Sequence, residues 1–269
     1  MGDSYSSGEG VEPFEAGTAT ATDTCHRSKF AYPRVLAKLP GSILNLGSSG
    51  FIACSGATTS AITLGYNSEG AQMERLTSTT DLVTITIGGN NVPFDKFATA
   101  CVMPGLHSGC DGKAYKDAMS GIANSVTPRL EYTLNAMKDR LTNLHSNATV
   151  LVIGYPELVP ATWVYETKGC WWLQPKELPA IRKVTTALNA AIQKRVEAVS
   201  GRFKFVSATA KGSPFIGHEL CRSTSDKAKE YFNNYDSSAP TAYTFHPNKD
   251  GQIAYAMLIT SYLKLHPLS

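Results

Sequence analysis

The sequence predicts an α/β fold, a single domain in which a parallel sheet lies between two layers of helices. Three observations carry that expectation. Four short runs, Gly50-FIAC, Leu82-VTITI, Val150-LVIGY and Phe203-KFVSA, are nearly continuous in apolar, β-favouring residues and bounded by Gly, Pro or Ser. That is the pattern of strands buried on both faces. Between them apolar residues recur every three or four positions, as in helices with one face in a core. The chain has 269 residues, 42% hydrophobic and 17% charged, enough to fill one large core. No internal repeat or long low-complexity segment divides it, so residues 1–269 read as one domain.

In chain order, the first helix is expected over Arg27–Leu39 and the first visible strand over residues 50–54, followed by the strand that begins at Leu82. Met119, Ile122, Val126, Leu130, Leu134, Met137, Leu141 and Leu144 then form one long apolar stripe. Pro128 interrupts it and is expected to break the helix in two, because proline cannot donate the backbone bond an inner turn requires. The Val150 strand leads to a helix from Leu178 to Val199 with Ile181, Val184, Leu188 and Ile192 on one face. After the Phe203 strand, a last helix runs from Asn248 to about Leu265. In such an alternating layer ligands bind at the carboxyl ends of the strands, so chemistry is expected just after each strand.

Bulk properties exclude several classes. The net charge is +3 and no run of five Lys/Arg occurs, which disfavours nucleic acid as a partner. No stretch approaches about 18 consecutive apolar residues, so no membrane-spanning helix and no stable membrane anchor are expected. The first residues lack the basic-then-apolar pattern of a signal peptide. Six cysteines, at 25, 54, 101, 110, 170 and 221, show no metal-ligand spacing, so neither a metal site nor another cofactor is signalled. Chain order and local spacing favour the pairs Cys25–Cys54, Cys101–Cys110 and Cys170–Cys221, which imply an oxidising, extracellular setting. The sequon Asn147-Ala148-Thr149 is compatible with that setting.

Four short blocks lie where the chemistry is expected: Gly2-Asp3-Ser4-Tyr5-Ser6, Ser55-Gly56-Ala57-Thr58, Gly88-Gly89-Asn90-Asn91 and Phe245-His246-Pro247-Asn248. They hold the parts of an acyl transfer, namely a hydroxyl, an imidazole and donors for an oxyanion. His218 is a second candidate base. His246 has the better claim, because Pro247 and Asn248 can start a helix behind it and hold the ring on a defined turn.

In this order and spacing, GDSYSSG, ACSGATT, TIGGNN and FHPNKDGQIAYA resemble the four blocks of the SGNH/GDSL hydrolase family, most nearly its secreted esterase, lipase and phospholipase branch typified by actinomycete enzymes. CHRSKFAYP and PFIGHELC extend the similarity to essentially the whole chain. The resemblance implies a three-layer, flavodoxin-like α/β/α domain acting as a monomer on esters, of lipids or of other extracellular compounds. It implies Ser4 as nucleophile, His246 as base, and an oxyanion hole from the Ser4 and Gly56 amides and the Asn90 side chain. Asn91 departs from the family pattern, which has Asp there, and a change in loop hydrogen bonding is expected. The acid that normally stands three residues before the histidine is replaced by Tyr243, whose phenol supplies no carboxylate at neutral pH. A main-chain carbonyl of Tyr243 or Thr244 is expected to orient the imidazole instead, ahead of Asp236 and Asp250.

Two rival readings remain. One is a non-catalytic binding protein on the same scaffold, and the other is a carbohydrate acetyl esterase. Trp163, Trp171 and Trp172 either line an acyl cleft or pack beneath a loop. Only Met1 precedes the GDSYS block, so the strand that should carry Ser4 is expected to be missing through N-terminal truncation, together with any signal peptide. That loss is expected to cost several kcal/mol.

Overall fold

The computed structural model describes residues 1–40, 42, 44–47, 50–92, 97, 100–101, 110, 112–162, 170, 172–199, 201–222, 229–236, 238 and 241–268. Among these residues three parallel strands, β1 (Leu82–Ile85), β2 (Thr149–Ile153) and β3 (Phe203–Val206), form a sheet in the order β1-β2-β3. Leu82 stands beside Thr149, and Val150 beside Phe203. The helices are α1 (Ser4–Ser7), α2 (Tyr32–Lys38), α3 (Thr59–Thr63), α4 (Lys113–Gly121), α5 (Thr127–Asn143), α6 (Leu178–Val199) and α7 (Lys249–Leu265). One group packs α3 and α6 against α5, and the other packs α2 against α7. The sheet lies between them as the α/β/α arrangement requires.

Residues on β1 alternate between the two sides. Val83, Ile85 and Ile87 are buried apolar side chains. Thr84 and Thr86 point the other way, where Thr84 accepts from the Tyr32 hydroxyl at 3.2 Å and Thr86 meets Ser6 Oγ at 2.7 Å. One face of the strand is therefore apolar, and the other carries a buried polar row that ends under Ser4.

Several expectations change. Arg27–Leu39 becomes a helix only from Tyr32, with Pro33 in its first turn. The preceding residues are engaged elsewhere: Ser28 N donates to Ser7 O at 2.7 Å and Ser55 N to Cys25 O at 3.0 Å. Residues 50–54 make no strand ladder. Phe51 and Ala53 pack with Ala31 in a small separate cluster, and Cys54 N donates to Gly2 O at 3.0 Å. Pro128 does mark the division of the long apolar stretch into two α-helices, α4 and α5, but the helical path between them is not interrupted. It falls in the first turn of α5, and the missing proline N–H is absorbed by a π-helical stretch over Ile122–Val126, where Thr127 Oγ1 donates to Ile122 O at 3.1 Å. The 178–199 helix matches its expected bounds, and α7 starts directly after Asn248.

The position of the strand expected to be missing is occupied by Met1 to Asp3. Met1 N donates to Thr84 O at 3.1 Å and Asp3 N to Thr86 O at 3.0 Å, so these residues run parallel to β1. Gly2 has φ +123°, and a β-carbon there would overlap the Thr86 carbonyl. On its outer side, buried Gln72 acts as a strand would: Oε1 accepts from Gly2 N at 2.6 Å and Nε2 donates to Gly2 O at 2.9 Å. Gln72→Leu is expected to destabilise the protein by about 1–3 kcal/mol, because a buried amide N–H loses its acceptor. A urea midpoint equal to that of the parent would rule out this strand-substitute role.

Candidate active site

Ser4 opens α1. Asp3 is the cap of that turn, its carboxylate accepting from Tyr5 N at 3.1 Å, and Gly8 closes the turn at φ +82°. Ser4 is buried, and its carbonyl accepts from Gly8 N and Glu9 N. Beneath it Asp3 also accepts from Thr86 Oγ1 at 2.7 Å and from the Tyr155 hydroxyl. Burial pushes the Asp3 carboxyl up to about 6, against the opposing pull of its hydrogen bonds to Tyr155, Thr86 and Tyr5. Tyr155, just past β2, accepts in turn from Gly89 N at 2.9 Å. A polar chain therefore links the Ser4 turn to the Gly89-Asn90 block.

Asn90 lies on a short turn after β1. Its Nδ2 donates to Ala57 O at 3.0 Å, which joins the second and third blocks. An amide carries two N–H groups, so this bond leaves a second donor on the same nitrogen. Gly56 has φ +80°, and a β-carbon there would stand 2.7 Å from the Tyr66 hydroxyl. Asn91 shows what its departure from Asp achieves. Oδ1 accepts from Thr59 N at 3.0 Å, as a carboxylate would, while Nδ2 donates to Thr59 Oγ1 at 3.0 Å.

His246 sits two residues before Asn248, whose side chain accepts from Asp250 N and Gly251 N at 3.0 Å each and so caps α7. The turn ahead of it is fixed by Phe245, a non-glycine residue at φ +68°. Phe245 N donates to Asn233 O, Asn233 N donates to His246 O, and Trp172 packs 5.5 Å from the Phe245 ring. The link to the Ser4 turn is direct. Tyr5, adjacent to Ser4, donates from its hydroxyl to Phe245 O at 3.0 Å, and its ring lies 5.5 Å from the His246 ring. Gln252 of α7 adds a brace, donating to Tyr5 O at 3.3 Å and accepting from Tyr32 N at 2.8 Å.

His246 Nδ1 is buried and makes no well-formed hydrogen bond. Burial lowers its pKa, while the charge of Glu9 and the carbonyls of Ala242, Thr244 and Tyr243 favour the protonated ring. The carboxylates considered as replacement acids are occupied elsewhere. Asp236 accepts from Ser238 N and Oγ on the surface, and Asp250 stands exposed in the first turn of α7. Tyr243 turns its hydroxyl away to Glu12 Oε1 at 2.8 Å. His218 is stacked on Tyr231 at 3.7 Å, with Nδ1 against Lys229 O, a packing role.

The expected disulfides Cys25–Cys54, Cys101–Cys110 and Cys170–Cys221 all form. Trp172 is buried and donates to Asn234 Oδ1 at 3.0 Å, whereas Trp163 and Trp171 fall outside the described residues. Thr86, Tyr155, Gln72 and Gln252 carry much of the site and were not singled out by the sequence. For Thr86 a signal existed, the Thr-Ile alternation in LVTITI.

A sequence model of the GDSL-like Lipase/Acylhydrolase family matches residues 1–254. The chain belongs to this family. Lipase 2 of Streptomyces coelicolor is 31% identical over 261 residues, covering 94% of this chain and 80% of that protein. The crystal structure of an extracellular lipase from Streptomyces rimosus superposes with a TM-score of 0.75 at 28% identity, over 97% of this chain and 96% of that one. Phospholipase A1 from Streptomyces albidoflavus superposes equally, with a TM-score of 0.75 at 27% identity and the same coverage of 97% and 96%. The protein of this GDSL-like family is a carboxylic ester hydrolase on an α/β/α scaffold.

Proposed function

We propose that the protein hydrolyses carboxylic esters through an acyl-enzyme on Ser4. His246 takes the Ser4 proton on Nε2 as Oγ bonds to the ester carbon, then passes it to the departing alcohol oxygen as the carbon–oxygen bond breaks. A water molecule repeats the sequence, giving its proton to His246 and releasing the acid and Ser4. The Ser4 and Gly56 amides and the second N–H of Asn90 hold the oxyanion, while the carbonyls of Ala242, Tyr243 and Thr244 replace a carboxylate in favouring the imidazolium.

The observation that carries this reading is the convergence of all four blocks. Tyr5 ties the Ser4 turn to the His246 turn, Asn90 is fastened to Ala57, and Tyr155 joins Asp3 to Gly89. A fluorophosphonate probe is expected to label Ser4 stoichiometrically, as mapped by peptide mass spectrometry. A folded, ester-hydrolysing sample with no adduct at Ser4 would overturn the assignment, and a folded sample inert to both probe and esters would favour a binding module. Asn90→Ala is expected to lower kcat about 10²–10³-fold with little change in KM.

The substrates we assign are acyl esters of lipids, in keeping with the named lipase and phospholipase relatives. Leu64 and Tyr66, 79% and 43% exposed, offer an apolar rim on the loop that reaches Gly56. Three disulfides and an extracellular relative support a location outside the cell. A panel of p-nitrophenyl esters from acetate to long acyl chains separates this reading from an acetyl esterase, which would act on acetate alone.

A further inference from the structure

Among the described residues no carboxylate is hydrogen-bonded to the His246 ring, yet one is buried on the segment that follows the Ser4 turn. Glu9, 2% exposed, follows directly from the turn that carries Ser4. Both of its oxygens lie against His26 Nδ1, at 2.9 and 2.8 Å. His26 is held in a strained, positive-φ conformation (φ +47°) and stacks on Phe14 with ring centres 4.7 Å apart. Phe14 meets the Tyr243 ring edge-on at 6.2 Å. Gly10, the residue after Glu9, backs onto Tyr243 so closely that a β-carbon would stand 3.1 Å from the Tyr243 β-carbon, and its carbonyl accepts from Asn233 Nδ2 at 3.2 Å. Asn233 is the same residue that brackets Phe245 and His246 by backbone bonds. The Glu9–His26 pair is thus built into the underside of the turn that presents the imidazole.

We propose that Glu9, held in place by His26, does from a distance what a triad acid does in contact: it stabilises the positive charge that His246 acquires when Ser4 loses its proton. Among the described residues the Glu9 carboxylate is hydrogen-bonded to His26 and not to the His246 ring, so it acts as an electrostatic positioning residue. The inference rests on the reading of His246 as the base. Three features favour it over a purely structural staple. The carboxylate is withdrawn from water, where its field is least screened. It lies on the segment that joins the nucleophile turn to the His246 turn. Its charge also opposes the effect of burial on the imidazole. His26 holds that carboxylate in place through both of its oxygens.

The titratable groups that face this pocket are Asp3 and Tyr5 from the nucleophile turn, Glu9 and Glu12 from the loop after it, His26 from the loop before α2, and Tyr243 from the His246 turn itself. Tyr243 is pushed up to about 12 by burial and by the Glu12 carboxylate, and Tyr5 is raised further, so neither phenol ionises in the working range. Asp3 serves Tyr155, Thr86 and Tyr5 N, and Glu12 serves the Tyr243 hydroxyl.

The test is the pH profile of kcat/KM with a soluble p-nitrophenyl ester. Glu9→Gln keeps an acceptor for His26 and removes the charge. It is expected to move the acidic limb to lower pH by about half a unit to one unit and to lower the plateau roughly three- to tenfold. Glu9→Asp, which keeps the charge, is expected to retain the parent limb. A limb for Glu9→Gln that coincides with the parent's, whether or not activity falls, overturns the proposal and leaves a structural staple. Should that variant not fold, His26→Gln carries the test. It can still donate to Glu9 and leaves the carboxylate in place, so the limb is expected to keep the parent's position, and a downward shift overturns the proposal. His246→Ala is measured alongside. If it retains activity, the assignment of the base fails, a result separate from any behaviour of Glu9.

Discussion

Ser4→Ala is expected to lower kcat about 10⁵–10⁶-fold on any ester the parent hydrolyses, with KM nearly unchanged, and His246→Ala to do nearly the same. The double variant is expected to be no worse than either single one, because the hydroxyl and the imidazole act as a unit and the residual rate comes from the oxyanion donors. Stability should be preserved in Ser4→Ala, since the bonds that hold the residue run through its carbonyl to Gly8 N and Glu9 N, and alanine keeps them. Stopped-flow or long-incubation assays read the rate, and thermal unfolding reads the fold. A well-folded Ser4→Ala protein with more than a few per cent of parent activity would remove Ser4 from the mechanism, as would additive losses in the double variant.

The same pair fixes the sign of the pH dependence. The base must be neutral to accept the Ser4 proton. Burial holds the His246 pKa below its usual value, against the opposing pull of Glu9 and of the Ala242, Thr244 and Tyr243 carbonyls. The acidic limb of kcat/KM is therefore expected below the ordinary histidine range, with activity retained into mildly acidic buffer.

How much of this was legible in the sequence follows from how local each signal is. Three of the four apolar runs became strands, and α6 and α7 appeared where periodicity and the Asn248 cap put them, because those patterns are written in consecutive residues. Phe51–Cys54 failed as a strand for a non-local reason. Beside it runs the Met1–Asp3 segment, joined by Cys54 N donating to Gly2 O, while Phe51 and Ala53 pack with Ala31 in a cluster apart from the main core. The residues proposed for catalysis were readable as types at strand ends, and their supports were not. Gln72 binds Gly2 from 70 residues away, Thr86 binds Asp3 from 83, and Tyr155 binds Asp3 from 152. A buried polar side chain can be recognised as satisfied only when its partner is known. Tyr243 was legible as a position that offers no carboxylate, but the partner of its phenol, Glu12, lies 231 residues away and was not.

Asp3 is where the largest stability effect is expected. Its carboxylate serves three donors, Tyr5 N, Thr86 Oγ1 and the Tyr155 hydroxyl, and Asp3→Ala removes that acceptor from all of them at once. At about 1–3 kcal/mol for each unsatisfied buried group, the loss reaches several kcal/mol, a large share of a typical domain's stability. Asp3→Asn separates the charge from the hydrogen bonds. Burial raises the Asp3 carboxyl from 3.8 in the unfolded chain to about 6 in the folded one, so the native state holds this proton more tightly. The resulting contribution to stability is full below pH 4 and is lost as the pH rises through about 6. At about 1.4 kcal/mol per unit the change is on the order of 3 kcal/mol. The asparagine variant has no such titration, so the gap between parent and variant in urea melts should change between pH 4 and pH 7, with the parent losing ground as the carboxyl ionises. Asparagine also presents an N–H toward a Tyr155 hydroxyl that already accepts from Gly89 N. The phenolic proton then lacks its acceptor, and the loosened Tyr155 no longer fixes the Gly89-Asn90 turn, so kcat should fall even where the fold survives. A gap that stays constant across that pH window would show that Asp3 does not titrate there, and unchanged kcat would show that the Asp3–Tyr155–Gly89 chain does not position Asn90.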